Sequence, residues 1–535
     1  MLSRRSKRSS FFRLLLLLIR LRTYFPATAA LACLLLSSGC VHKQYFQLDA
    51  RSDASGPLPA AADSVRGATA GRQYARHGRL YGMLVGQHHR YSWAAPVAVP
   101  VLRLPVARPG GLSPGKVGGG FNSTSLSLLA ANGQAYVLRT VDKDPIRATP
   151  KWLRGTFLVN TLRDNVSATN PYGALVVPPL AAALGVPHVE PQLFYVRADD
   201  PAFQGDSLRL FRGQLASLEK KFTLTAWATE AKRMTVVNSK KAFAAVYTTP
   251  DNQIDQLALL RARLLDGWLG DWDRHTGQWN WAIIAKPNGP GTLISPLPKD
   301  RDMVFYHLDD GLLGWLIGHV FLRHWATFSP DYPNIANLLS SGHYLDIRGL
   351  NGLTRAQFRT TALAMQQRLP DTLLSRAVHQ LPPAAFALEG ARTIAALQAR
   401  REALPALADA LYRQLARHPV VGGTAQTERF EVHRYADSTV VAVYSVQPTA
   451  SSNQLLTYRR TFSPAETTSI QLESLGGDDV FFVKEHGKQP IRQPRLRLYG
   501  GTGNDELQGK QHGRAVRFWQ DSAPAKDAYN KSPKE

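Results

Sequence analysis

The sequence predicts an α+β chain in three parts: a mixed α/β region, a helical region beyond about residue 228, and a short all-β end past residue 420. Three observations carry this. In the first part, 125–129 and 135–139 are strand-like runs on either side of an Ala131-Asn132-Gly133 turn, the pattern of a β-hairpin. Between 253 and 269, Ile254, Leu257, Leu260, Leu264, Leu265 and Trp268 recur at helical spacing, and Leu397, Leu404 and Leu411 mark a buried seam within 354–415. Past 420 the pattern shortens to alternating runs at 439–444, 480–483 and 495–499, separated by Gly/Asp turns.

The start of the chain stands apart from any fold. Its first 22 residues hold seven Arg or Lys and no acid, and 24–36 is apolar and leads into Ser37-Ser38-Gly39-Cys40. That is the layout of a secretion signal with a lipobox-like end. Residues 1–39 are thus expected to be removed and Cys40 to carry a lipid, leaving a membrane-anchored lipoprotein of the cell envelope that faces the periplasm or the cell surface. An uncleaved anchor is the alternative, because Arg13 splits the leucine run. Both cysteines, Cys33 and Cys40, lie in this segment, so the remainder can form no internal disulfide. Residues 40–73, polar and rich in Ala, Ser, Asp and Gly, read as a flexible tether, with order beginning near Tyr74.

Composition bounds the rest. With 535 residues, 44% of them hydrophobic, the chain has material for two or three cored domains. The formal charge of +24 falls to about +17 without the cations of the leader, and it is diffuse. No Lys/Arg block interleaved with aromatics is present, which argues against nucleic acid. Anionic lipid headgroups or acidic envelope substrates suit that charge better, and a generally basic proteome suits it equally.

Along the chain, 97–106 is valine-rich and extended, with Pro100 and Pro105 keeping it to a sheet edge. Gly118, Gly119 and Gly120 form a Gly-rich loop ahead of the hairpin. Residues 171–184 read as a helix, and 189–196 and 207–211 as further strands.

Two segments carry the chemistry. The first, 264–281 (LLDGWLGDWDRHTGQWNW), is a helix running into a charged, Trp-flanked loop. The second, 297–306 (LPKDRDMVFY), is a strand-like piece bearing Asp300 and Asp302. One carboxylate can orient or deprotonate an acceptor hydroxyl while another, with an amide oxygen, holds the metal that bridges nucleotide phosphates. Asp273 and Asp300 are the first choices for those roles. The plainer reading of 271–274 is a salt-bridged helix end, with Trp268, Trp272, Trp279 and Trp281 packing around it. Four carboxylates in two short segments nevertheless need cations or metal if they are buried.

Asp273-Arg274-His275, then Gln278, then Asp300 with Phe305 behind it, resemble the catalytic loop and metal-binding segment of the atypical kinase-like fold of type II phosphatidylinositol 4-kinases, secretory-pathway casein kinases and HipA-type kinases. The resemblance implies a two-lobed domain, with a mixed N-lobe over 74–215 and a helical C-lobe over 216–420. A β module over 421–520 and a disordered tail over 521–535 would follow. It makes Asp273 the catalytic aspartate, with Arg274 and His275 ordering its loop. Mg²⁺ or Mn²⁺ falls to Asp300 and Gln278, with Asp302 a further ligand. ATP or another nucleotide would lie under Gly118, Gly119 and Gly120. Arg139 would stand where those kinases keep a phosphate-binding lysine, with Lys143 near. More closely, Gly86-Gln87-His88-His89-Arg90 and the segments 136–145, 170–179, 270–281 and 298–305 resemble a group of bacterial envelope lipoproteins. That implies an envelope protein or a glycolipid as acceptor.

Two other functions stay open on the residues. One is a binding scaffold that kept the fold and lost the chemistry. The other is a metal-dependent phosphohydrolase using Asp271, Asp273, Asp300 and Asp302 around two ions. His88 and His89 with His275 and His307 lack any zinc-ligand spacing. Residues 500–507 (GGTGNDEL) match one turn of a calcium-binding β-roll. The related 476–479 (GGDD) is not one repeat length away, so both read as tight turns.

Overall fold

The computed structural model describes residues 45–520, apart from 54–55, 119–123, 148, 152–153, 155–157, 207, 223–233, 322, 333, 447–453, 488–492 and 510–512. The leader 1–39, Cys40, Gly119, Gly120 and the tail 521–535 lie outside the described residues. From residue 45 onward, the tether expected over 40–73 is corrected. Ala50, Ala68 and Ala70 are buried, the Gln47 amide donates to the carbonyls of Thr69 and Ala70, and strand β1 (Ser64–Ala68) belongs to a sheet. The alanines that gave the stretch a linker composition are small enough to pack closely.

Two short helices follow, α1 (Arg79–Val85) and α2 (Arg90–Ala94), before β2 (Val97–Pro100) pairs antiparallel with β1. The hairpin forms as its pattern dictates: β3 (Leu112–Gly118), β4 (Ser125–Ala130) and β5 (Ala135–Thr140), with Ser125 opposite Arg139. Helices α3 (Leu158–Asp164) and α4 (Val177–Ala183) precede β6 (Gln192–Tyr195) and β7 (Leu215–Lys220), which complete an antiparallel sheet of order β3-β4-β5-β7-β6. The strand expected at 207–211 is instead a helical turn, Arg209–Phe211, whose Phe211 inserts beside Phe203 into the core with Leu126, Leu138 and Leu218. Strand alternation places Arg139, Ser217 and Glu219 off that core, where they line a cleft.

The region expected to be helical from 216 onward also holds a second sheet, and the boundary at 215 falls inside β7. Strand β8 (Met234–Asn238) leads into α5 (Ser239–Val246). After β9 (Gln253–Ile254) comes α6 (Gln256–Leu269), then β10 (Trp279–Ala285) and β11 (Thr292–Pro298), in the order β8-β10-β11-β9. Helix α6 is capped by Asp255 and carries Leu259, Leu260, Leu264, Leu265 and Trp268 fully buried, which makes it the central strut. Around it stand α7 (Leu312–Leu316), α8 (Ile335–Leu338), α9 (His343–Gly349), α10 (Arg355–Gln367), α11 (Asp371–Val378), α12 (Pro383–Glu402) and α13 (Leu404–Ala416). Leu397, Leu404 and Leu411 are buried in one core with α6, as their spacing requires.

Beyond α13, every regular element among the described residues is a strand: β12 (Val420–Gly422), β13 (Glu428–Arg434), β14 (Thr439–Val446), β15 (Gln454–Phe462), β16 (Ser469–Glu473), β17 (Val480–Glu485), β18 (Arg495–Tyr499), β19 (Glu506–Gly509) and β20 (Val516–Trp519). They form an all-parallel sheet β12-β16-β18-β20 and a mixed sheet β15-β14-β13-β17-β19, with Phe430, Phe481, Leu472 and Leu498 in the core they share. The strand pairs β12–β13, β16–β17 and β18–β19 stack as successive rungs. The segments 476–479 and 500–505 are turns, as read, but the stacking makes them neighbours, which their spacing in sequence did not suggest. Asp479 N–H donates to Asp505 Oδ1 at 3.0 Å, Asn504 N–H donates to Asp478 Oδ1 at 2.8 Å, and β17 and β19 run parallel with Val480 opposite Glu506. The sequence spacing hid this because the chain between those turns spans whole strands before it returns.

Candidate functional site

Helix α6 ends at Gly270, whose φ of 72° turns the chain sharply against the Phe328 ring. A side chain there would meet the ring and also carry left-handed strain. The chain then delivers Asp271, Asp273 and Arg274 in close succession. Arg274 is wholly buried and stacks on Trp279 with 4.8 Å between the guanidinium carbon and the ring centroid. Its Nη1 donates to Lys299 O at 2.8 Å and Asp300 O at 3.1 Å, while its backbone N–H donates to Ser341 Oγ. The loop after α6 and the segment after β11 are therefore joined through one guanidinium. Sequence spacing put those segments near one another only by resemblance. The fork of Arg274 is what does it physically.

Beneath this joint lies a buried ion network. Arg263 bonds Asp266 at 2.7 Å and Asp346 at 2.7 and 3.0 Å; Arg274 lies 3.3 Å from Asp266; Arg301 contacts both Asp266 and Asp271. Burial alone would raise the Asp266 carboxyl, but Arg274, Arg301 and Arg263 outweigh it and hold the group below its ordinary value. Asp271 goes the other way. Burial pushes it up to about 7 against the pull of Arg274 and Arg301, and its Oδ1 has no hydrogen-bond partner. Asp271 is thus the salt-bridged helix end, and sits 1% exposed below the site.

Asp273 is different. Its side chain is partly open, its ion-pair partner is His275 Nε2 at 3.7 Å, and burial first, then the nearby Asp302 and Asp300, raise its carboxyl. His275 accepts from Gly277 N–H at 3.0 Å through Nδ1, which sets the turn into β10. The Gln278 backbone carbonyl accepts from Lys299 N–H at 3.1 Å.

Asp300 and Asp302 follow β11 rather than standing on a strand, which corrects the strand-like reading of that piece. Asp300 has φ 59°, in the left-handed region that disfavours residues with a Cβ, and Phe305 has φ 60°. Among the described residues the other non-glycine with positive φ is His88, at 49°. His88 and Phe305 belong to one assembly. Phe305 N–H donates to Leu269 O, the last residue of α6, and Phe305 O accepts from His89 Nε2 at 2.8 Å. His88 N–H donates to Asp310 Oδ2 at 2.7 Å. Backbone strain is retained only where the surroundings over-determine it, and such positions gather at functional sites.

The 86–90 motif is accordingly a scaffold. His89 Nδ1 faces Glu389 at 2.7 Å, Ser92 and Asn170 bond the same carboxylate, and His89 Nε2 holds Phe305 O. Glu389 is held down to about 2: burial would raise it, but His89 and these hydrogen bonds prevail. Arg90 clamps Asp164 in two bonds of 2.8 and 2.6 Å. His88 and His89 are bonded to protein groups, and among the described residues no three His, Cys, Asp or Glu side chains meet as a metal site.

Above Asp300 and Asp302 the cleft brings down the other predicted residues. Arg139 Nη1 lies 3.1 Å from Asp300, and Lys143 Nζ lies 2.5 Å from Asp302. Gly118 ends β3 at the rim of the same sheet. Sequence reading missed Glu219, which approaches Arg139 Nε at 4.0 Å and is pushed up to about 7, chiefly by burial and also by Asp300 and Asp302. The signal was available: Glu219 shares the strand parity of Ser217, away from Leu218. The cavity, lined also by Asn170 and Tyr172, measures about 70 Å³. Small-molecule sites more often run to roughly 300 Å³ or above.

No protein-family model matches the chain, and no curated protein matches it. Among solved structures it is similar to the crystal structure of a Helicobacter pylori proinflammatory kinase, CtkA. The identity is 13% and the TM-score 0.31, over 56% of this chain and 95% of that one. A likeness of that size says nothing about residues or chemistry.

Proposed function

We propose that this chain is an envelope lipoprotein whose kinase-like domain transfers a phosphoryl group from a nucleotide to a hydroxyl acceptor, an envelope protein or a glycolipid. One observation carries the reading: the carboxylates of Asp300 and Asp302 face the cations of Arg139 and Lys143 in a single cleft, with the Asp300 backbone held left-handed. A metal–polyphosphate complex presents the complementary pair of charges, cation toward the carboxylates and phosphates toward Arg and Lys. In this reading Asp300, Asp302 and Gln278 would hold a divalent ion, which would neutralise charge on the transferring group. In this reading the proteinaceous parts divide the remaining work. Arg139 and Lys143 bind phosphate, Asp273 orients the acceptor hydroxyl and takes its proton, and Arg274 fixes the distance between Asp273 and Asp300. The lobes would be 74–215 and 216–420, adjusted so that β7 stays with the first.

A second reading, the inactive scaffold, has a specific observation in its favour. The two carboxylates are already paired with the two cations, and the cleft is small. The two-ion phosphohydrolase is disfavoured because Asp271 is committed to Arg274 and Arg301. The test is a thermal-shift titration of the chain from Gln44 onward with ATP and Mn²⁺, beside Asp300→Ala. Ligand at about 100 times its dissociation constant stabilises by roughly 2.7 kcal/mol. A shift lost in the variant supports the phosphotransferase reading. If ATP and metal leave the wild type unmoved, the scaffold is the better account.

A further inference from the structure

Helices α1 and α7 pack together at the side of the molecule where the chain enters it. Gly311 approaches so closely that a Cβ there would lie 2.3 Å from Gly86 N, and His88 N–H is tied to Asp310 just before α7. Both helices expose large apolar side chains in addition to the apolar residues they bury. Leu80 and Met83 on α1 are 67% and 64% exposed, and Leu312 and Trp315 on α7 are 60% and 49% exposed; Val320 extends the patch. Each pair is spaced three residues apart, so each lies on one helix face. Exposed large apolar groups that gather in this way mark an interaction surface.

What covers them is argued from where the chain begins. Tyr45, the first described residue, donates from its hydroxyl to Asp164 Oδ1, and Tyr81 of α1 donates to Oδ2 of the same carboxylate. Residue 40 is five residues away and, at up to about 3.5 Å per residue, no more than roughly 17 Å from Tyr45. In the anchored reading a lipid on Cys40 is therefore tethered within that reach of Tyr45, and so of α1. Exposed Arg76, Arg79 and Arg323 lie on or next to these helices, with Asp309 and Asp310 the neighbouring acids. Among the described residues no helix is long and apolar enough to cross a membrane, so the patch would lie on a bilayer rather than span it.

We propose that the α1–α7 face docks on the surface of an anionic lipid bilayer, with Leu80, Met83, Leu312 and Trp315 at the level of the headgroups and acyl chains and the arginines on the phosphates. Tryptophan and apolar side chains backed by cations suit that interface. The inference rests on the membrane-anchored reading above. It adds an orientation: the molecule lies on the membrane by this face.

The test uses the full chain incorporated into vesicles of phosphatidylcholine with phosphatidylglycerol, the latter with plain or brominated acyl chains. Flotation reads anchoring, and bromine quenching of tryptophan emission reads the depth of Trp315. The expected result is flotation with quenching by the brominated lipid, most of it lost in Trp315→Phe. The paired variant Leu80→Glu/Met83→Glu floats and loses the quenching too. A chain that floats with the same quenching in wild type and Trp315→Phe overturns the docking face and leaves the anchor standing. A chain that does not float overturns both, and quenching equal from brominated phosphatidylcholine in vesicles without phosphatidylglycerol overturns the anionic preference.

Discussion

Asp300 offers the sharpest separation of stability from ligand binding. Its φ of 59° would cost an ordinary L-residue about 1–2 kcal/mol relative to glycine. Its ion pair with Arg139 is partly exposed, about a fifth on each side, so removal is expected to cost no more than about 0.2–1 kcal/mol. Replacement by alanine loses the pair and keeps the strain. Replacement by glycine loses the pair and relieves the strain, although the freer unfolded chain takes back about 0.4–1 kcal/mol. Glycine should therefore exceed alanine by roughly 0.5–1 kcal/mol. Valine, branched at Cβ and poorly suited to positive φ, should fall below both. For a cooperative unit of a few hundred residues the Gly–Ala difference is on the order of 1 °C in melting temperature. Scanning calorimetry of Asp300→Gly, Asp300→Ala and Asp300→Val should give that order, and all three should lose the ATP and Mn²⁺ shift alike. A valine variant as stable as the glycine one refutes the strain. A ligand shift that survives in all three refutes the metal-holding role.

Three further outcomes are expected. Arg274→Met removes a buried cation from Asp266 and orphans the carbonyls of Lys299 and Asp300, so denaturant titration should show a loss of about 3–5 kcal/mol. Glu389 is held down to about 2, below its unfolded value; its contribution is present above pH 4.5 and lost as pH falls toward 2. Glu389→Gln should flatten the melting-temperature profile across that window. Asp479 is the opposite case, pushed up to about 7 by burial and then by Glu428 and Asp505, so its contribution is complete below about pH 4 and is lost as pH rises through 7. Asp479→Asn keeps an acceptor for Glu428 N–H and should be more stable than wild type at pH 8, with no advantage at pH 4.

What the sequence determined by itself is what local period and turn chemistry can encode. The hairpin 125–139 formed because its alternation and Asn-Gly turn leave one register. Helix α6 and the seam through Leu397, Leu404 and Leu411 formed because a 3.6-residue period fixes which side is buried. Asp273 and Asp300 could be singled out because carboxylates gathered in two short segments are costly to bury without a purpose, whereas Arg139 and Lys143 entered only through the kinase-like resemblance. Tertiary structure alone decided the rest. Alanines read as linker became core because close packing depends on a partner surface that composition does not show. Asp271 and Asp273, two residues apart, part company because one is buried against Arg274 and Arg301 while the other is partly open and pairs with His275. The turns at 476–479 and 500–507 became neighbours because parallel strands stack segments that the intervening chain holds apart in sequence. Charge pairing and rung stacking act through space, between residues whose separation along the chain carries no record of their contact.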